Sequence, residues 1–192
     1  YYISTVGALG QGSSNNLSKD TDLALAIGTK LADFTTGSWA NFENPNFKLV
    51  SVNTARYDTT KHLATPVISD AKVGLQKISE ALGDWRAPDP WYQRAIKERD
   101  EWDTYVEKQS GPTNQEEPSY AHAVGAVYRN SDPSDIVVTA AGGLVGEVVQ
   151  VWKPKQLNTF ETEWGFSCMG YEISGALGIK MAKPDQDVVV FV

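Results

Sequence analysis

Apolar residues fall along the chain in two rhythms. Leu23-Ala24-Leu25-Ala26-Ile27, ending at Gly28, and Lys48-Leu49-Val50-Ser51-Val52 are short dense runs bounded by small or polar residues, the pattern of buried strands. Residues 33–39, Asp-Phe-Thr-Thr-Gly-Ser-Trp, carry no period and are expected to form loop. Over 70–82 the period changes: Ala71, Leu75, Ile78 and Leu82 recur at helical spacing, and Gly83 supplies a stop. Strands alternating with helices imply βαβ units around a mostly parallel sheet.

Ala87-Pro88-Asp89-Pro90 interrupts this pattern. Residues 91–108 then predict a charged helix, with Arg94/Glu98 and Lys97/Glu101 four apart, both in the weaker basic-to-acidic order. Residues 109–118, rich in Gly, Pro, Asn and Glu, read as a linker. A second α/β unit is expected after it. Ser119 caps a helix to about Arg129, 135–139 is a strand, and Gly142-Gly143 makes a turn. A short helix over 146–152, a longer one over 169–182 and a strand over 187–192 complete it. There is no internal repeat. Tyr1 is not an initiator methionine, and Val188-Val189-Val190-Phe191-Val192 stops like a strand short of its turn, so both ends are expected to be cuts in a longer protein.

Composition narrows the class. With 41% hydrophobic and 21% charged residues and six Trp, the chain is globular. Its formal charge of −7, from 17 basic and 24 acidic residues, argues against a nucleic-acid surface. No stretch approaches the ~18 apolar residues of a membrane helix. The single Cys168 excludes an internal disulfide and fits a reducing compartment, so a cytoplasmic location is expected.

Two stretches carry candidate chemistry. Ile136-Val137-Val138-Thr139-Ala140-Ala141-Gly142-Gly143-Leu144 is a strand, a small-residue turn and a helix start. Ligands of open α/β sheets sit at this place, and a glycine turn before a helix brings amides to a phosphate; ordinary tight-turn chemistry gives the same string. The second is Glu163-Trp164-Gly165-Phe166-Ser167-Cys168-Met169-Gly170-Tyr171-Glu172 and the helix after it. Gly170, Ser174 and Gly178 make one face of that helix nearly bare, fit for a backbone or a flat ligand. Alternatively the helix packs on a sheet through a core stripe of Met169, Ile173, Leu177 and Met181.

In this order the two stretches resemble the start of the diphosphate-binding domain of thiamine-diphosphate enzymes, with the second half of the family's middle domain ahead of it. The resemblance implies an α/β protein in three parts: 1–85, the C-terminal part of a parallel-sheet, Rossmann-like middle domain; 86–118, a helical linker; and 119–192, the beginning of the cofactor-binding domain. It places the diphosphate at Gly142, Gly143 and Leu144, and the aminopyrimidine and thiazolium at Ser167, Cys168, Met169 and Gly170. It implies thiamine diphosphate and Mg²⁺ as cofactors, with the metal ligands expected after Val192 and the activating Glu before Tyr1, so no catalytic residue is assigned within the chain. Acetolactate synthases of this family read Gly at the place of Ser167 and Phe-Gly at Tyr171-Glu172. The departure points to a hydrolytic branch acting on a small cyclic dione; an acetolactate synthase-like carboligase or lyase is the alternative, and the piece by itself is expected to be inactive. A homodimer or homotetramer with active sites between subunits is implied. Glu161 and Glu163 are weighed as neighbours of the site against solvated loop carboxylates, and His62 and His122 are expected to be structural.

Overall fold

The computed structural model describes residues 1–192, in two compact units, Tyr1–Trp102 and Asp103–Val192. The division falls inside a long helix.

The first unit runs α1 (Gly12–Asp20), β1 (Leu23–Ile27), α2 (Asp33–Thr36), β2 (Lys48–Asn53), α3 (Arg56–Thr59), β3 (Thr65–Ile68), α4 (Ala71–Leu82) and most of α5 (Asp89–Ser110). Its sheet has the order β1-β2-β3 and is parallel throughout, with Leu23 opposite Lys48 and Val50 opposite Thr65. One face buries Ala26, Leu31 and Leu49 against Trp39 and Phe47. On the other face Val52 is fully buried beneath Gly74 of α4, where an added β-carbon would lie 2.8 Å from Val52 Cγ1. That contact sets the roll of α4. Its buried line passes through Gly74, so Leu75 and Leu82 of the expected stripe are exposed. The expected helix bounds hold: the Asp70 carboxylate accepts from the amides of Lys72 and Val73, and Gly83 ends the helix at φ 55°. Residues 33–36, expected as loop, wind into a single turn closed by Gly37 at φ 58°. In α5 both expected pairs form, Arg94–Glu98 and Lys97–Glu101, each at 3.7 Å. Arg94 also reaches Asp20 at 2.7 Å.

The second unit takes the end of α5, then α6 (Tyr120–Asn130), β4 (Ile136–Thr139), α7 (Leu144–Val151), β5 (Phe160–Thr162), α8 (Tyr171–Ala182) and β6 (Val188–Val190). Its sheet has the order β5-β4-β6, again all parallel. All four residues of β4 are buried, as a central parallel strand requires. Ser119 caps α6 as expected, and His122 completes a reciprocal box: its amide donates to the Ser119 hydroxyl while its Nδ1 accepts from the Ser119 amide.

Helix α8 starts at Tyr171, two residues later than the spacing predicts, and turns the other way. Glu172 and Ala176 are its buried residues, and Ala176 packs with Ile136 and Val138. The Met169, Ile173, Leu177 and Met181 stripe is exposed, so it is not core in this unit. No helix is long and apolar enough to cross a membrane.

Candidate cofactor site

Strand β4 ends at Thr139, and Ala140, Ala141, Gly142 and Gly143 carry the chain into α7. Gly142 sits at φ 91°, a conformation that L side chains rarely adopt. Beyond the α-carbons of Gly142 and Gly143 there is open space, and neither amide donates to an acceptor of the chain. The turn therefore presents unused donors at the carboxyl end of the central strand and the start of a helix, where a phosphate binds. Two more polar groups at this end of the sheet lack a partner. Thr139 and Thr162 stand opposite each other in register on β4 and β5, and both hydroxyls are buried and unbonded. The free amides, the bare turn and the unpaired hydroxyls suit an anionic, phosphate-bearing group.

The loop before α8 is shaped by carboxylates. Glu163 Oε1 accepts from the Phe166 amide at 2.8 Å, and Oε2 accepts from the Cys168 amide at 2.9 Å. These bonds, that to Cys168 foremost, hold the Glu163 carboxyl below its ordinary range. Glu163 thus builds the loop instead of standing in it as a solvated charge. Ser167 adopts φ 52°, and its hydroxyl donates to the Ala140 carbonyl at 3.4 Å, linking the loop to the turn. Met169 is 88% exposed, just before Gly170, which caps α8 at φ 95°.

Glu172 is the group that sequence reasoning missed. It is 2% exposed, yet it is a carboxylate. One oxygen accepts from the Ala141 amide and the other from the Gly170 amide, both at 2.9 Å. The Ala141 amide foremost, with other backbone amides around it, keeps this carboxyl below its ordinary range against the opposing push of burial. An acidic residue in the first turn of a helix ordinarily answers the helix dipole at the surface, and nothing in the spacing separates that case from this one.

Of the residues expected at the site, Gly142, Gly143 and Leu144 lie on the turn, and Ser167, Cys168, Met169 and Gly170 lie on the loop. The two segments meet through Ser167 and Glu172. Glu161 lies at the margin, accepting from the Tyr171 hydroxyl at 3.2 Å. Burial first, then the charge of Glu161, raises the Tyr171 phenol above its usual range. His62 is bound elsewhere: its Nε2 lies 3.2 Å from the Leu31 carbonyl oxygen and its ring meets Trp39 edge-on.

Comparison with known proteins supplies the family. Residues 1–78 match the central domain of thiamine pyrophosphate enzymes, and residues 140–192 match their C-terminal TPP-binding domain. The chain belongs to the thiamine pyrophosphate enzyme family. Its relatives include proteins named 3D-(3,5/4)-trihydroxycyclohexane-1,2-dione hydrolase. That of Geobacillus thermodenitrificans is 32% identical over 97% of this chain and 32% of its own length. That of Clostridium tetani is 33% identical over 95% of this chain and 32% of its own. That of Lacticaseibacillus casei is 33% identical over 94% and 32%. The chain spans about a third of the length of the curated relatives it matches.

Proposed function

We propose that this chain serves in an enzyme that opens trihydroxycyclohexane-1,2-dione by hydrolytic C–C cleavage, giving 5-deoxyglucuronate in inositol breakdown. The observation that carries the assignment is the joining of the bare Gly142–Gly143 turn to the Ser167–Gly170 loop, in a chain whose relatives bear that hydrolase name. The string Tyr171-Glu172, where acetolactate synthases have Phe-Gly, favours hydrolase over carboligase.

In this assignment the free amides of Gly142 and Gly143, with the start of α7 at Leu144, hold the diphosphate of thiamine diphosphate. The Ser167 carbonyl and Met169 amide would take the aminopyrimidine, the Met169 side chain would support the cofactor, and Cys168 and Gly170 would shape the backbone on either side. When bound, the cofactor supplies a carbon nucleophile and an electron sink for the cleaved C–C bond. The protein's share is orientation and electrostatics: Glu163 and Glu172 fix the loop, and the small residues of the turn let backbone approach phosphate. A magnesium ion accompanies the diphosphate in this proposal, on ligands expected beyond Val192. The activating Glu belongs to a domain ahead of Tyr1, and the working form is a cytoplasmic homodimer or homotetramer with sites between subunits.

The test is product analysis on the full-length enzyme with thiamine diphosphate and Mg²⁺. Trihydroxycyclohexane-1,2-dione should be consumed with release of one open-chain acid, and pyruvate alone should be left unchanged. Condensation of pyruvate with the dione untouched would replace the hydrolase by a carboligase.

A further inference from the structure

Residues 141 and 170 lie far apart in the chain, yet one side chain holds both of their amides. We propose that Glu172 is a positioning residue for the cofactor: its buried carboxylate sets the spacing between the Gly142–Gly143 turn and the Met169–Gly170 loop, and decides which amides of the turn remain for the anion. This rests on the assignment of the two segments to thiamine diphosphate.

Each oxygen holds one of the two segments. Oε1 accepts from Ala141 and Oε2 from Gly170, both at 2.9 Å, so neither oxygen can be shifted without breaking a bond. A buried carboxylate that lost an amide would be left with an uncompensated charge, so the pair is held together. Capture of the Ala141 amide turns that N–H away from the ligand side and fixes the peptide plane at the entrance to the turn. The next two amides, of Gly142 and Gly143, are the ones without an acceptor. On the other side, capture of the Gly170 amide fixes the peptide that joins it to Met169, whose side chain is proposed to support the cofactor. The left-handed conformation of Gly170, φ 95°, is what lets its amide point back at a side chain two residues ahead. The roof and the floor of the site are thereby referred to a single rigid group. Without it the weaker link is the Ser167 hydroxyl on Ala140 at 3.4 Å.

Glu172→Gln in the full-length enzyme is the variant to make. It keeps the volume but leaves one acceptor and sets an N–H against the second amide. The measurements are calorimetric affinity for thiamine diphosphate with Mg²⁺, thermal unfolding without cofactor, and kcat. The expected result is a rise of about tenfold or more in the cofactor Kd and a kcat lowered by roughly a hundredfold, as for misplacement on the order of 1 Å. A lower melting temperature with cofactor Kd within twofold of wild type makes Glu172 merely structural and overturns the proposal. If the variant does not fold, amide hydrogen exchange on the wild-type enzyme decides. The Ala141 and Gly170 amides should be protected before cofactor is added, and free exchange at both sinks the idea. A wild-type enzyme that does not bind thiamine diphosphate at all would instead refute the site assignment, a result separable from either of these.

Discussion

A β-carbon on Gly125 would lie 2.1 Å from the carbonyl oxygen of Ser110, the same oxygen that accepts from Arg129 at 2.6 Å. Helix α6 therefore passes the end of α5 in direct backbone contact. Replacing glycine by alanine within a helix ordinarily gains up to about 1 kcal/mol of propensity. Here the obstacle is a backbone atom that cannot swing away, and overpacking costs roughly 1–3 kcal/mol. Gly125→Ala should therefore lower stability by about 1–2 kcal/mol in urea unfolding. An increase would mean that α6 can slide off α5.

Gly178 supplies the opposite case. Nothing lies within 4 Å of the position its β-carbon would take, and it sits in the interior of α8. Propensity is then unopposed, and Gly178→Ala should raise the stability of this chain by about 0.5–1 kcal/mol. A loss in the same urea experiment would reveal close approach of another backbone to this face.

The strands and helices that the sequence made legible are those with strong periods and clear punctuation. Lys48–Asn53 has a dense apolar run, Asp70 and Gly83 bracket α4, and Ser119 opens α6. Several short elements were not visible, α2 and α3 among them, and three show why. Strand β5 is three residues long and contains Glu161; β3 is four and contains Pro66; α1, Gly-Ser-Ser-Asn-Asn-Leu-Ser-Lys-Asp, lacks an apolar stripe. Their existence is decided by tertiary pairing, not local preference. Helix α8 failed differently. It carries apolar residues on two faces, and periodicity cannot say which one meets the sheet; Ala176 and Ile179 do, and Ile173 and Leu177 do not. The turn and loop of the candidate site stand out as strings, but the carboxylate joining them does not, because its partners are amides and carry no residue identity.

Acid should loosen the loop from Glu163. Its carboxyl lies below the ordinary glutamate value in the folded protein, chiefly through the Cys168 amide and then that of Phe166. A depressed folded pKa contributes stability that is complete above the unfolded-state value, about 4.3, and is lost as pH falls through the lower folded value. Glu163→Gln should therefore be less stable than wild type at neutral pH, and the gap should close below about pH 4. Urea midpoints of both proteins at pH 7 and pH 3 test this; an equal gap at both pH values would mean that charge plays no part.

Met169 separates packing from function. At 88% exposure it has little to lose on truncation, so Met169→Ala should move stability by no more than about 0.5 kcal/mol. Its proposed place under the cofactor calls for a large fall in kcat of the full-length enzyme, roughly a hundredfold if the reacting groups shift by about 1 Å. Thermal unfolding and steady-state kinetics on one preparation give both numbers. An unchanged kcat would remove Met169 from the cofactor site.

The outward face of α8 has a consequence in sulfur chemistry. The chain has two methionines, Met181 on that face at 76% exposure and Met169 just ahead of the helix at 88%. Peroxide can reach both thioethers without unfolding the protein, and each sulfoxide would turn an apolar contact into a polar one. Ile173 and Leu177 between them cannot be oxidised in this way. Oxidation would therefore reach the exposed sulfurs at this helix and just ahead of it, Cys168 among them, while leaving the buried valines of β4 chemically intact.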